Sequence, residues 1–119
     1  MKRIEVIIPP GDASVVAQAF AVQGVTGMTI SEVQGWGVRQ CPEDAESCPA
    51  QVEVSPKLKV EMVVLNNEAE AIMVRLTEAL TASGLGPAKM FSSPVTDVVH
   101  TRSGARNDQA LASRFTSTR

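Results

Sequence analysis

The chain has 119 residues and a formal net charge of −2, which favours one compact domain. Aromatic residues make up only 3% of it and tyrosine is absent, which argues against RNA recognition by stacked side chains. The charge also lacks the basic excess that binding to many nucleic-acid phosphates requires. No apolar run approaches the roughly 20 residues that cross a bilayer, and the first residues are typical of a strand. We therefore expect a cytoplasmic protein that binds no nucleic acid and does not insert into membranes.

The first third of the chain predicts a strand, a helix and a second strand. Residues 3–8 alternate between apolar and mixed positions, as in a half-buried strand. Asp12 is a candidate N-cap, and Gly24 suits the C-terminal cap of the helix between them. The second strand begins at Met28 and continues to about Val33.

The strongest periodicity lies in residues 51–64, where every even position except 56 is apolar. This alternation predicts a long strand with one buried face, and Pro56 predicts an edge or a bend partway along it. Asn67 and Glu70 are spaced as a capping box, which predicts the start of a second helix that ends at Gly84.

A short last strand at residues 89–92 completes the order β-α-β-β-α-β. This order predicts an α+β fold, the ferredoxin-like sandwich, with two helices on one face of the sheet. The other face needs a cover, and we expect another subunit to provide it. The domain is predicted to span residues 1–104, and residues 105–119 are polar enough to predict a flexible tail.

Two glycine-rich regions are candidates for ligand contact. Glycines in 24–37 permit close approach of the backbone to a ligand, although simple turns explain them equally well. The segment 84–89 joins a helix to a strand and ends in Lys89. Its backbone N–H groups are able to hold an anion, but it is not a Walker motif because no Lys-Ser/Thr pair opens a helix.

Several segments, in order and at nearly matching separations, resemble the PII signal-transduction proteins over about residues 1–104. The matching segments are Gly27-Met28-Thr29, Glu32-Val33-Gln34-Gly35-Trp36-Gly37, Pro56-Lys57-Leu58-Lys59-Val60-Glu61, Gly86 with Lys89-Met90-Phe91, and His100-Thr101-Arg102-Ser103-Gly104. The resemblance implies a homotrimer with an adenine nucleotide (ADP, AMP or ATP) in each cleft between subunits, and leaves a magnesium ion open. It also implies a T-loop, at about residues 38–51, that engages a regulated partner protein.

Carried over residue by residue, the resemblance implies that Thr29 and the backbone around Met62 and Val63 contact adenine. It places Lys89 and Arg102 at the phosphates. The full set that it implies for the nucleotide is Gly27, Met28, Thr29, Gly35, Trp36, Gly37, Arg39, Gln40, Met62, Val63, Gly86, Pro87, Ala88, Lys89, His100 and Arg102. Lys57 matches the family lysine at the 2-oxoglutarate site, and Gln40 is a second candidate for another ligand.

Departures from the family pattern point to a divergent branch. Val38 intervenes before Arg39, Pro87-Ala88 replaces Asp-Gly, and His100 stands where the family usually has arginine. Without tyrosine, uridylylation of the loop is excluded. Such branches include proteins associated with carboxysomes or bicarbonate transporters. A partner in inorganic-carbon metabolism, with ADP or AMP favoured and bicarbonate as a second ligand, is therefore the leading hypothesis.

Cys41 and Cys48 bracket six residues of the predicted T-loop. A disulfide between them would stabilise the loop by roughly 2–3 kcal/mol, whereas a cytoplasmic setting favours reduced thiols. A zinc site needs two further ligands, so no metal site is predicted. No nucleophile pairs with His100 in a known motif, so an enzyme is not predicted either. The alternatives are a nitrogen-type PII regulator that senses ATP, ADP and 2-oxoglutarate, or another small-molecule sensor on the same fold.

Overall fold

A computed structural model of the chain describes residues 1–25, 27–39 and 51–112. Its elements are β1 (Lys2–Ile8), a 3-10 turn (Pro10–Asp12), α1 (Ala13–Gln23), β2 (Thr29–Arg39), β3 (Gln51–Val64), α2 (Asn66–Ser83), β4 (Lys89–Pro94) and α3 (Asp108–Ala112). Within this part of the chain, no helix is both long and apolar enough to cross a membrane.

The four strands form one antiparallel sheet in the order β2-β3-β1-β4. The register pairs Lys2 with Val64 at one end of β1 and Ile8 with Leu58 at the other. Helices α1 and α2 cover one face of the sheet, and the two helices contact each other. This arrangement confirms the predicted ferredoxin-like α+β sandwich.

The core forms because the alternating apolar side chains of the strands face the apolar stripes of the helices. Residues Ile4, Val6 and Ile8 of β1 are completely buried, and Val60, Met62 and Val64 at the end of β3 are at most 4% exposed. Helix α2 contributes positions spaced three or four apart, as a helical stripe requires. The buried apolar set is Ile4, Val6, Ile8, Val16, Ala19, Phe20, Val60, Met62, Val64, Ala69, Ile72, Leu76 and Leu80.

Strands β2 and β3 continue past the rest of the sheet as a two-stranded ribbon. Strand β1 ends opposite Leu58, so Pro56 lies where β3 has a neighbour on one side only, as expected for a proline in a strand. Strand β2 was predicted to stop near Val33, but it continues to Arg39 because pairing with β3 supports it as far as Gln51.

One face of this ribbon exposes apolar side chains. Trp36 lies opposite Val54 and Val38 lies opposite Val52, and these four side chains are 46–72% exposed. They lie on the same face as the buried residues of β3, but beyond the reach of both helices. A contiguous apolar patch of this kind is typical of a protein–protein contact.

The sheet face that the helices leave open is charged along β1 and β3. Nε of Arg3 lies 3.2 Å from Oε1 of Glu5, and Nζ of Lys59 lies 2.8 Å from Oε1 of Glu61. The hydrogen bond from Lys59 lowers the pKa of Glu61, and the same bond, with help from Glu5, raises the pKa of Lys59. Both groups of this pair therefore carry their charges at neutral pH, and any subunit that covers this face must meet a polar surface.

The start of α2 differs from the prediction. The helix begins at Asn66 with Leu65 as its N-cap, and the predicted capping box of Asn67 and Glu70 does not form. The carbonyl of Leu65 accepts the N–H groups of Glu68 and Ala69 at 3.0 and 3.2 Å, so the N-cap lies two residues before the predicted Asn67.

The predicted flexible tail is wrong for its first part. Arg106 forms a β-bridge with Val99, and α3 follows at residues 108–112. Ala110 is buried, and this apolar contact orders a segment that its polar composition predicted to be flexible. Residues 113–119 lie outside the described part of the chain.

Asp12 is the N-cap residue of α1, as predicted, but its carboxylate makes no cap hydrogen bond. The side chain is fully buried, and both oxygens lack a hydrogen-bond partner among the residues that the structure describes. Leaving such a group unpaired costs about 1–3 kcal/mol. Asp12 is thus a local destabilising feature of the core.

We expect Asp12→Ala to raise the free energy of unfolding by about 1 kcal/mol, because it removes the unpaired group and loses no cap bond. Urea denaturation measures this change, and Asp97→Ala at an exposed position is the control, expected within about 0.5 kcal/mol of the unmutated protein. A clear loss of stability in Asp12→Ala would mean that the carboxylate has a donor in solution.

Candidate functional site

A cavity of about 620 Å³ lies at the end of the sheet where Lys2 pairs with Val64. Strand β2 begins at Thr29 opposite Glu61, whereas β3 continues to Val64. The backbone of residues 62–64 therefore has no partner from β2 on that side. A strand edge of this kind presents N–H and C=O groups to a ligand. The lining consists of Arg3, Gly24, Val25, Gly27, Met28, Thr29, Glu61, Met62, Val63, Val64, Leu65, Glu68, Ala110 and Leu111.

The electrostatics of this cavity are unfavourable for a phosphate. Among the residues that the structure describes, Arg3 is the one basic side chain in the lining, and it already pairs with Glu5. Glu61 and Glu68 add two negative charges, and an ion pair with Lys59 compensates the charge of Glu61. The hydroxyl of Thr29 adds a neutral polar group, and the other described lining residues are apolar or glycine, so the cavity suits a neutral group with polar edges.

A second group of predicted site residues lies at the opposite end of the sheet. Lys89 begins β4 opposite Ile7, four residues along β1 from Arg3, and four residues of strand span about 13 Å. The loop before Lys89 contacts the turn that follows β1. Leu85 lies so close to Gly11 that a methyl group added to this glycine would be 3.0 Å from Cδ1 of Leu85. Gly86 has φ +133°, a conformation that other residues rarely adopt, so it keeps the loop backbone open to a ligand.

The base of the β2–β3 ribbon is also at this second end. A methyl group added to Gly35 would lie 2.9 Å from Cγ of Lys57, so the lysine stem crosses directly over the glycine. Gly35 is therefore required for the position of Lys57. This close approach places Lys57, the candidate contact for a second ligand, beside Gly35, which the resemblance assigns to the nucleotide site.

His100 and Arg102 lie on a tight turn after β4. The turn is closed by hydrogen bonds from the His100 N–H to Ala105 O at 2.8 Å and from the Gly104 N–H to His100 O at 2.8 Å. The Ser103 N–H donates to Nδ1 of His100 at 3.3 Å, and the Ser103 hydroxyl lies 3.1 Å from the same atom. Because Nδ1 accepts a hydrogen bond, the neutral ring carries its proton on Nε2 and has only that donor left for a ligand.

The structure thus divides the predicted nucleotide residues into two groups within one chain. Gly27, Met28, Thr29, Met62 and Val63 line one cavity, while the ribbon base (35–37) and the loop 86–89 lie at the other end of the sheet. Arg39 ends β2, and nothing further is described of its side chain. Gln40 and the candidate redox pair Cys41 and Cys48 lie outside the described residues.

The cavity also contains residues that the sequence analysis missed. Val25 and Leu65 line it from the ends of α1 and β3, and Ala110 and Leu111 line it from α3. The adjacent apolar pair at 110–111, in an otherwise polar segment, was the one signal that could have identified α3 as part of the site.

Comparison with known proteins adds to this geometry. The family model described as "Nitrogen regulatory protein P-II" matches residues 1–105. The protein of that name from Microchaete diplosiphon is 37% identical over 112 residues, which cover 93% of this chain and 100% of the relative. Escherichia coli nitrogen regulatory protein P-II 1 is 30% identical with the same coverage.

Solved structures show the same fold. Arabidopsis thaliana PII bound to citrate superimposes with a TM-score of 0.73 at 29% identity, covering 92% of this chain and 90% of the other. The Bacillus subtilis GlnK-ATP complex superimposes with a TM-score of 0.77 at 23% identity, with 92% and 96% coverage. The sequence matches extend over nearly the whole chain and include both ends of the sheet described above. This chain therefore belongs to the nitrogen regulatory protein P-II family.

Proposed function

We propose that this PII-family signalling protein forms a homotrimer that senses adenine nucleotides in the clefts between its subunits and reports them through its T-loop. ADP or AMP is the favoured nucleotide, bicarbonate is the second ligand, and the regulated partner belongs to inorganic-carbon metabolism. The observation that carries the proposal is the division of the predicted nucleotide residues between opposite ends of one chain's sheet.

This division supports a site built from two chains. The cavity that contains Thr29 is suited to a base, and the basic residue for a phosphate, Lys89, lies about 13 Å along the sheet from Arg3 of that cavity. In a closed ring of subunits, the first group of one chain faces the second group of the next, which completes every site. The exposed apolar pairs of the β2–β3 ribbon, Trp36 with Val54 and Val38 with Val52, supply surface for such contacts. ATP is the nucleotide held by one structural neighbour, Bacillus subtilis GlnK.

The preference for ADP or AMP is argued from His100. The ring uses Nδ1 to close its own turn, which leaves one N–H for a ligand. An arginine at this position would supply a permanent charge and a fork of donors to the terminal phosphate of ATP. Loss of that contact reduces the advantage of ATP and leaves space beside Arg102 for a small anion. Bicarbonate is the small anion that we assign to this position.

Calorimetric titration of ADP, AMP and ATP, each with and without bicarbonate at fixed pH and ionic strength, tests the proposal. We expect ADP or AMP to bind at least as tightly as ATP, and bicarbonate to tighten ADP binding, because each ligand supplies order and charge balance that the other needs. The matched variant His100→Arg should shift the preference back toward ATP. Tightest binding to ATP by the unmutated protein, with no bicarbonate effect on ADP, would refute the nucleotide preference.

A nitrogen-type regulator is the second candidate function. It is favoured by the names of the relatives and by Lys57, whose stem lies over Gly35 at the ribbon base. Adding 2-oxoglutarate to the ATP titration separates the two candidates. Tightening of ATP binding by 2-oxoglutarate, lost in Lys57→Ala, would favour nitrogen sensing over carbon sensing.

A further inference from the structure

Helix α3 forms a wall of the cavity at the base-binding end. Ala110 is 9% exposed and Leu111 is half-buried, and both residues line the cavity together with Met62–Leu65. The volume of about 620 Å³ is present with α3 in place, so the helix borders the cavity and does not fill it.

Specific bonds attach α3 to the rest of the fold. The Asn107 N–H donates to Val98 O at 2.7 Å, and Oδ1 of Asn107 accepts the Val98 N–H at 3.1 Å. Asn107 has φ +52°, a left-handed conformation that turns the chain into the helix. The Leu111 N–H then donates to Asn107 O at 3.1 Å. Asn107 is thus the residue that joins α3 to the strand-like segment at Val98.

The same segment connects α3 to Arg102, which the resemblance places at the phosphates. The bridge between Val99 and Arg106 and the bonds of Asn107 close a hairpin whose tip carries His100 and Arg102. A ligand that holds α3 at the cavity therefore also restrains the position of Arg102, since only this short hairpin lies between them.

We propose that Ala110 and Leu111 are base-contacting residues, and that nucleotide binding and the docking of α3 stabilise each other. A purine has flat apolar faces and polar edges. The unpaired backbone edge at 62–64 matches the polar edges, and Leu111 adds apolar surface to the same cavity. The carboxylates of Glu61 and Glu68 disfavour a phosphate inside the cavity itself. The inference rests on the proposed nucleotide function and extends it to a part of the chain that the site residues predicted from the sequence do not include.

Leu111→Asn in the full chain tests the contact, with Gln109→Ala, which lies outside the cavity lining, as the matched control. We expect Leu111→Asn to weaken ADP binding by about tenfold, because it removes apolar surface from the base, while Gln109→Ala stays within about twofold. Asn107→Ala, which leaves Leu111 intact but removes the acceptor for Val98, should weaken ADP binding as well.

Limited trypsin digestion of the unmutated protein provides a readout that does not depend on any variant. Cleavage after the exposed Arg106 requires the hairpin to open, so saturating ADP should slow it about fivefold or more if base and helix stabilise each other. Cleavage at an unchanged rate with ADP bound, or normal ADP affinity in Leu111→Asn, would overturn the role of α3. Failure of the unmutated protein to bind ADP, AMP or ATP is a different result, which would refute the proposed function itself.

Discussion

Lys89→Ala is expected to weaken ADP binding by about tenfold or more, because a charge-assisted hydrogen bond to a phosphate contributes roughly 1.5–3 kcal/mol. Lys89 is exposed at the start of β4, directly after the loop that Gly86 keeps open. Both features leave its ammonium group available to an anion. Calorimetric titration with ADP measures the change.

Two matched variants sharpen this measurement. Arg75→Ala removes one positive charge from α2, outside both groups of predicted site residues, and should leave ADP affinity within about twofold. Lys89→Arg keeps the charge with a different shape and should retain part of the affinity. If Lys89→Ala binds ADP as tightly as Arg75→Ala does, the assignment of Lys89 to the phosphate is wrong.

Refolding two variants of weakened affinity together is expected to restore high-affinity nucleotide binding at part of the sites. Strand β4 runs from Lys89 opposite Ile7 to Pro94 opposite Lys2, and the hairpin that carries Arg102 follows it, so one chain holds Lys89 and Arg102 at opposite ends of its sheet. A site between chains then takes one of these residues from each neighbour. Lys89→Ala and Arg102→Ala chains, unfolded together in equal amounts and refolded, should assemble at random into rings. About one quarter of the sites then combine an intact Lys89 with an intact Arg102.

The number of high-affinity ADP sites, measured by calorimetry, should therefore rise from near zero in either variant alone to about one quarter of the chains in the mixture. The same variants, refolded separately and then mixed, serve as the control. Light scattering should give about three chain masses for every sample. A mixture that gains no sites despite forming trimers would show that each site lies within one chain.

The sequence predicted the architecture well where local pattern and tertiary packing agree. The even positions of residues 51–64 were predicted to share a face, and Val60, Met62 and Val64 are indeed buried under the helices. Val52 and Val54 follow the same pattern but are exposed, because the ribbon extends past the helices. Alternation therefore identifies which side chains share a face, and only the lengths of neighbouring elements decide whether that face is covered.

Local signals failed where packing decided the outcome. The predicted capping box makes Asn67 the N-cap of α2, but the N-cap is Leu65, two residues earlier, and its carbonyl accepts the N–H groups of Glu68 and Ala69. Composition predicted a flexible tail from residue 105, yet burial of Ala110 and the bonds of Asn107 order its first part. Such choices depend on surfaces that are distant in sequence, which a local pattern does not contain.

For the site, resemblance to PII proteins identified the residue types and their positions in the chain, from Thr29 to Arg102. By itself the sequence determined the family, the order of the strands and the absence of a modifiable tyrosine. Only the tertiary structure decided that these residues separate into two groups, because antiparallel pairing of β1 with β3 and β4 sends Lys89 and the cavity to opposite ends of the sheet. It also decided that α3 borders that cavity, since the hairpin that carries Arg102 returns the chain to the edge of β3.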